Sequence, residues 1–399
     1  MANMHTNSSL FKQCESASVP APRGLARLQI ESTAQGEGHE VEYRNLSTRS
    51  ILNRSTSNRG LGFRWTINPY RGCEFACRYC YARYTHEFME LRRPEDFEQR
   101  IFIKQHAAAQ LDQELRKLPT GESVALGTAT DPYQPIERRE RLTQSLLEVL
   151  ARHEGYRIGI VTKSVLILRD IELLQIVARR HQLTLHLTIT TDDAELARKL
   201  EPRAPRPDLR FRAVRRLREA GLRTGVLCSP AMPGINDSQS QLDRMAWLAA
   251  AAKASFFASG ALFLKPCSKG VFEDFLRSEF PALLPDYQRR FAQSAFASHS
   301  YQETLAARVR VACDKYGLGR RYERELFAAT AEREEPALGE IHSGPQQQLL
   351  SFSGFIPLES LAQGTASKPK PARADKGQRV MTTSRMLSLA SMNFNALKA

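Results

Sequence analysis

The stretch Asn68-Pro-Tyr-Arg-Gly-Cys73-Glu-Phe-Ala-Cys77-Arg-Tyr-Cys80-Tyr81 brings three cysteines into one short loop at C-x3-C-x2-C spacing. Three thiolates can hold three irons of a cubane and leave the fourth iron open, the logic by which catalytic metal sites keep a free coordination position. A fourth cysteine nearby would instead make a closed electron-transfer site. The competing reading is a zinc knuckle, which wants a further Cys or His close by, and His86 is the candidate. Arg71, Gly72 and Arg78 offer cations and backbone amides that would offset a cluster's negative charge.

The loop follows a strand candidate, Arg64 to Pro69, and the chain beyond it repeats the pattern. Further β-branched or apolar runs lie at Val124 to Ala129, Arg157 to Thr162, Thr184 to Thr190, Thr224 to Cys228 and Phe256 to Leu264. Helical stretches separate them, at His106 to Leu118, Leu142 to His153, Ile167 to His181, Asp208 to Ala220 and Ser238 to Lys253. Six βα units predict an α/β fold with a parallel sheet, a partial (β/α)6 barrel of TIM type in residues 61–280. Residues 1–60, rich in Ser, Asn, Thr, Arg and Gly, read as an irregular N-terminal arm. Residues 281–340 continue a run of C-terminal helices that begins near Phe272, and 341–399 read as a disordered basic tail.

The chain of 399 residues is 42% hydrophobic and 25% charged, ordinary globular material. It shows no apolar run of the roughly eighteen uncharged residues a membrane span needs, and its N-terminus lacks the order of a secretory signal, so the expected location is cytoplasmic. Seven cysteines, three of them crowded together, suit metal binding in a reducing compartment better than disulfides. Cys14, Cys228, Cys267 and Cys313 are scattered and read first as small buried apolar residues.

The formal charge of +14 points to an acidic partner, nucleic acid being the commonest. Much of it lies in the tail, where Lys368, Lys370, Arg373, Lys376, Arg379, Arg385 and Lys398 face only Asp375. A second basic segment, Arg203, Arg206, Arg210, Arg212, Arg215, Arg216 and Arg218 with Phe211, reads equally as a phosphate track or a solvated helix face.

With Tyr79 directly before the last cysteine, the loop resembles the C-x3-C-x-aromatic-C motif of the radical S-adenosylmethionine (SAM) superfamily. The resemblance implies a [4Fe-4S] cluster on Cys73, Cys77 and Cys80 whose open iron chelates S-adenosyl-L-methionine. An electron from a donor such as flavodoxin or ferredoxin would then cleave SAM to methionine and a 5′-deoxyadenosyl radical. The segments Val124 to Glu137, Ile160 to Ser164, Leu185 to Thr191 and Cys228 to Asp237 are similar to the spore photoproduct lyase branch, in its non-spore relatives. That likeness puts Gly127 and Thr128 near the methionyl amino group, Lys163 and Ser164 near the carboxylate, Thr190 near the ribose, and Pro230 to Asp237 against the adenine.

One departure concerns the substrate. Spore photoproduct lyases carry a hydrogen-donor cysteine in the second strand, and Val124 to Thr128 has none. Cys228 and Cys267, at the ends of the fifth and sixth strand candidates, are the alternatives, and Asp131 in the Asp131-Pro-Tyr-Gln-Pro135 turn is a candidate to face substrate. The expected activity is a DNA-repair-like lyase, with a radical enzyme acting on a peptide or small metabolite, or a non-catalytic iron-sulfur or zinc protein, as alternatives. Gln348-Leu-Leu-Ser-Phe352 faintly resembles a sliding-clamp docking peptide.

Overall fold

The computed structural model describes residues 24–38, 41–55 and 62–319. Six strands lie side by side in chain order: β1 (Trp65–Ile67), β2 (Ser123–Leu126), β3 (Arg157–Thr162), β4 (Gln182–Thr188), β5 (Thr224–Leu227) and β6 (Phe257–Ala258). All five neighbouring pairs are parallel, registered for example by Ile67 against Leu126, Leu126 against Ile160, Ile160 against Leu185, Leu187 against Val226, and Val226 against Phe257. An antiparallel strand, Leu52–Arg54, closes the β1 edge, and among the described residues the sheet is open.

A parallel sheet needs both faces covered, and the sequence supplies the cover. Every residue of β2 and β5 is buried. Helices Ala107–Leu115, Leu142–Leu150, Ile171–Arg180, Pro207–Glu219 and Gln239–Ala251 alternate with the strands. Their Leu111, Leu146, Leu174, Val214 and Leu242 join Ile67, Val124, Ile160, Leu185 and Val226 in one apolar core. The predicted αβ alternation and partial barrel are therefore present. The last strand is shorter than expected: Phe256 to Leu264 keeps only Phe257–Ala258 in the ladder, after which the chain forms isolated bridges, Ala231 with Ala261 and Phe263 with Phe296.

The N-terminal arm needs correction. Its described part contains a helix, Leu25–Glu31, and strands Thr33–Gly38 and Val41–Ser47, which pair antiparallel. Val41–Ser47 runs parallel to Arg100–Gln105, which in turn pairs with Tyr70–Arg71, making a second, four-stranded sheet. In Val41–Ser47 the buried residues are Val41, Tyr43 and Leu46, too few and too interrupted by polar neighbours to show as alternation in the sequence.

After the barrel, helices Pro266–Glu279, Leu284–Arg290 and His299–Tyr316 occupy the expected positions, the last packed against Gln239–Ala251. No helix among the described residues is long and apolar enough to cross a membrane. Residues 341–399, including Gln348 to Phe352, and Cys14 lie outside the described residues.

Candidate cofactor site

The three-cysteine loop leaves β1 and turns at Gly72. There φ is +82°, and a Cβ would sit 2.8 Å from the carbonyl oxygens of both Arg100 and Phe97, so glycine alone fits. The turn hands Cys73 to a backbone bond with Phe97 O (2.9 Å), and Cys80 N closes on Cys77 O (3.1 Å). Arg83, rather than Arg71 or Arg78, holds the loop: its Nη2 donates to Cys77 O (3.2 Å) and pairs with Glu98 (2.6 Å). Arg71 turns away to Thr85 O (3.4 Å).

All three cysteines line one cavity of about 140 Å³ that is partly open to solvent. It lies where β2, β3, β4, β5 and β6 end, the position of active sites in barrels of this kind, and its wall includes Gly127, Thr128, Asp131, Thr162, Lys163, Thr188 and Ser229. Phe75, Tyr79, Tyr81, Phe97, Leu262 and Phe263 make much of the rest apolar.

Burial raises all three thiol pKa values. Cys73 is pushed well up, further by the charges of Asp131, Cys77 and Cys80; Cys77 reaches about 12, and Cys80 is raised although Arg83 and Lys163 oppose the shift. Thiols held protonated by burial ionise readily only against bound metal. Three thiols on one cavity, Cys73 and Cys77 buried and Cys80 half-buried, are a donor set that fits an iron-sulfur cubane. His86 is no fourth ligand: its Nε2 bonds Arg100 O (3.0 Å), and its ring lies between Phe97 and Phe102.

Gly127 follows β2 at φ +90°, where a Cβ would meet Val161 O at 2.5 Å. The next residue, Thr128, bonds Asn68 Nδ2 (3.2 Å), and its carbonyl accepts from the Tyr81 hydroxyl (2.5 Å). Lys163 faces the cavity with its ammonium 5.6 Å from the Tyr79 ring centroid. Burial works against that charge, but Cys77, Glu201 and Asp131 outweigh it and hold the pKa above the ordinary lysine value.

Other expected site residues are placed differently. Asp131 lines the cavity, but its oxygens accept from Tyr133 N (2.9 Å), Thr162 Oγ1 (2.6 Å) and Lys163 N (2.8 Å), so it clamps two strand ends. Ser164 is not among the lining residues, its hydroxyl capping Leu166 N (3.2 Å). Thr190 sits behind Tyr79 at 3.1 Å, and Thr188 takes its place on the wall. Cys228 falls between the lining residues Leu227 and Ser229 and points the opposite way, into the core, as alternation along an extended chain requires. Cys267 is off the wall as well; it opens helix Pro266–Glu279 and packs with Tyr84 and Phe263, Sγ 3.8 Å from Tyr81 O.

The arginine-rich segment is largely committed internally. Arg206 and Arg212 pair with Asp208, while Arg215 and Arg218 donate to Ala251 O (2.8 Å) and Lys253 O (2.9 Å), at and just past the end of a neighbouring helix. Glu74, which sequence reasoning passed over, and Gln134 of the Asp131–Pro135 turn buttress the loop. Glu74 accepts from Tyr43 (2.9 Å) and Ile136 N (2.8 Å). Gln134, fully buried, bonds Glu74 N (2.9 Å), Gly72 O (3.2 Å) and Thr130 (3.0 Å). The Asp131–Pro135 turn thus supports the loop as well as lining the cavity.

Comparison with known proteins agrees with this arrangement. A model of the radical SAM superfamily matches residues 67–246. An uncharacterised protein of Mycobacterium tuberculosis is 34% identical over 298 residues, 74% of this chain and 87% of that one. Another, from Methanocaldococcus jannaschii, is 27% identical over 176 residues, 44% of this chain and 63% of that one. Among solved structures, a spore photoproduct lyase variant superposes with a TM-score of 0.51 at 14% identity, covering 76% of this chain and 85% of the other, a likeness of fold. With its cysteine loop, its cavity at the strand ends and these relatives, the chain belongs to the radical SAM superfamily and is a SAM-dependent radical enzyme.

Proposed function

We propose that Cys73, Cys77 and Cys80 bind a [4Fe-4S] cluster and that the enzyme acts on nucleic acid as a lesion-reversing lyase. The observation carrying this reading is the convergence of the three thiols with Lys163 on one cavity at the strand ends. When bound, the cluster would pass one electron from a flavodoxin- or ferredoxin-like donor to SAM, which cleaves to methionine and a 5′-deoxyadenosyl radical. Lys163 suits the SAM carboxylate as the cavity's cation, Gly127 and Thr128 border the amino group, and the apolar walls exclude water. Asp131 holds the Lys163 backbone in register.

The nucleic-acid part rests on the net charge and on fold likeness to a spore photoproduct lyase solved with AdoMet and a dinucleoside spore photoproduct (TM-score 0.50, 15% identity). A second reading, with a peptide or small metabolite as substrate, is favoured by one feature. The described cavity wall carries no cysteine beyond the three, so neither Cys228 nor Cys267 stands ready to return hydrogen to a product radical.

The test is anaerobic reconstitution with iron and sulfide, then reduction in the presence of SAM. Wild type should bind about four irons and form 5′-deoxyadenosine, and Cys77→Ala should lose both. A wild type that holds zinc and leaves SAM intact contradicts the reading.

A further inference from the structure

A buried polar network lies directly behind Tyr79. The Tyr79 hydroxyl donates to Glu201 Oε1 and lies 3.1 Å from Thr190 Oγ1, which itself donates to Glu201 Oε1 (2.7 Å). Glu201 Oε2 is 2.6 Å from Arg210 Nη1, an ionic contact off hydrogen-bond angle. Arg210 is anchored further through Pro205 O (2.6 Å) and Thr188 O (3.1 Å), the latter on the last residue of β4. Both charged residues are 1% exposed. The backbone on either side touches the cysteine loop again, Arg78 N to Leu200 O (2.9 Å) and Arg203 N to Phe75 O (3.5 Å).

Stability alone does not account for such a pair. Desolvating two charges commonly costs as much as their attraction returns, and apolar replacements of similar volume are often neutral or better. What the pair does here is fix direction. It leaves the Tyr79 ring one orientation, with an edge on the cavity and the Lys163 ammonium over its face. It also ties the segment between Cys77 and Cys80 to the ends of β4 and β5, since Thr190 Oγ1 reaches Ser229 O (3.3 Å).

We propose that Glu201, clamped by Arg210, is a positioning residue that acts through Tyr79 and Thr190 to hold the SAM-binding wall in its working geometry. The inference rests on the reading that this cavity binds SAM. Its test is a double-mutant cycle on equilibrium SAM affinity of the iron-loaded protein, using Tyr79→Phe and Glu201→Gln. Each single substitution should weaken SAM about five- to tenfold, and the double should be no weaker than the worse single, the mark of one shared linkage. In 5′-deoxyadenosine formation, KM for SAM should rise by the same factor while kcat holds. If Glu201→Gln unfolds because Arg210 loses its partner, a cycle of Tyr79→Phe with Thr190→Val is read in the same way. Additive effects, unchanged affinity, or a fall in kcat alone overturns the inference while wild type still binds SAM. A wild type that binds no SAM overturns the cofactor reading and this inference with it.

Discussion

His86 shows how the surroundings of one side chain decide between two chemistries. It stands near the cysteine loop at a spacing that suits zinc, yet burial, the largest effect, with Arg71 and Arg100 nearby, lowers its pKa from 6.5 to about 4. Folding therefore favours the neutral ring. The stability this contributes is complete above about pH 6.5 and is lost as pH falls through about 4, so near pH 4.5 roughly 2.5 kcal/mol should be gone. Urea denaturation at pH 7 and pH 4.5 should show wild type losing that much more than His86→Gln, whose amide can still donate to Arg100 O. Equal losses in the two proteins would mean that His86 is not held neutral. Asp131 teaches a related lesson: a carboxylate on a cavity wall looks catalytic until its acceptor sites prove to be filled by Tyr133 N, Thr162 Oγ1 and Lys163 N.

The second sheet shows what an element adds to a site it does not line. Strand Val41–Ser47 presents Tyr43 to Glu74, the residue after the first cysteine, and Arg139 lies 5.2 Å over the Tyr43 ring. Burial raises the Glu74 pKa, against the lowering effects of the Ile136 N–H and the Tyr43 hydroxyl. Removing the hydroxyl leaves a buried acceptor short of one donor, a loss of about 1–3 kcal/mol. Tyr43→Phe should therefore lower the denaturation midpoint and reduce iron retained after reconstitution; unchanged iron content would make the sheet a scaffold only. The six parallel strands were legible because their runs are mostly apolar and largely buried, and need no partner to be recognised. The second sheet was not, since Thr33–Gly38 reads Thr-Ala-Gln-Gly-Glu-Gly, a strand only by virtue of its neighbour. The cysteine loop was legible from spacing, whereas Glu201 was not: its partner Tyr79 is 122 residues away in sequence, and a lone Glu before Pro202 carries no local signal.

At the scale of the whole molecule the question is where the +14 charge is free to act. Of the arginines in the dense central segment, Arg210 is buried against Glu201, Arg206 and Arg212 share Asp208, and Arg215 and Arg218 serve backbone carbonyls. Cations already bound to carbonyls and carboxylates release few counterions when a phosphate approaches. The seven basic residues from Lys368 to Lys398, opposed by one aspartate, have no such competition in their own sequence. If the enzyme works on nucleic acid, its sequence-independent affinity should therefore come mainly from this tail. Each phosphate contact on duplex DNA contributes about 0.9 to the slope of log affinity against log salt, so replacing all seven by Gln should flatten that slope by up to about 6. The same replacement should leave 5′-deoxyadenosine formation from SAM unchanged, because the cavity keeps its own cation in Lys163. A slope that does not move would put the phosphate contacts on the barrel itself, and Arg215→Gln and Arg218→Gln would be the next substitutions to measure.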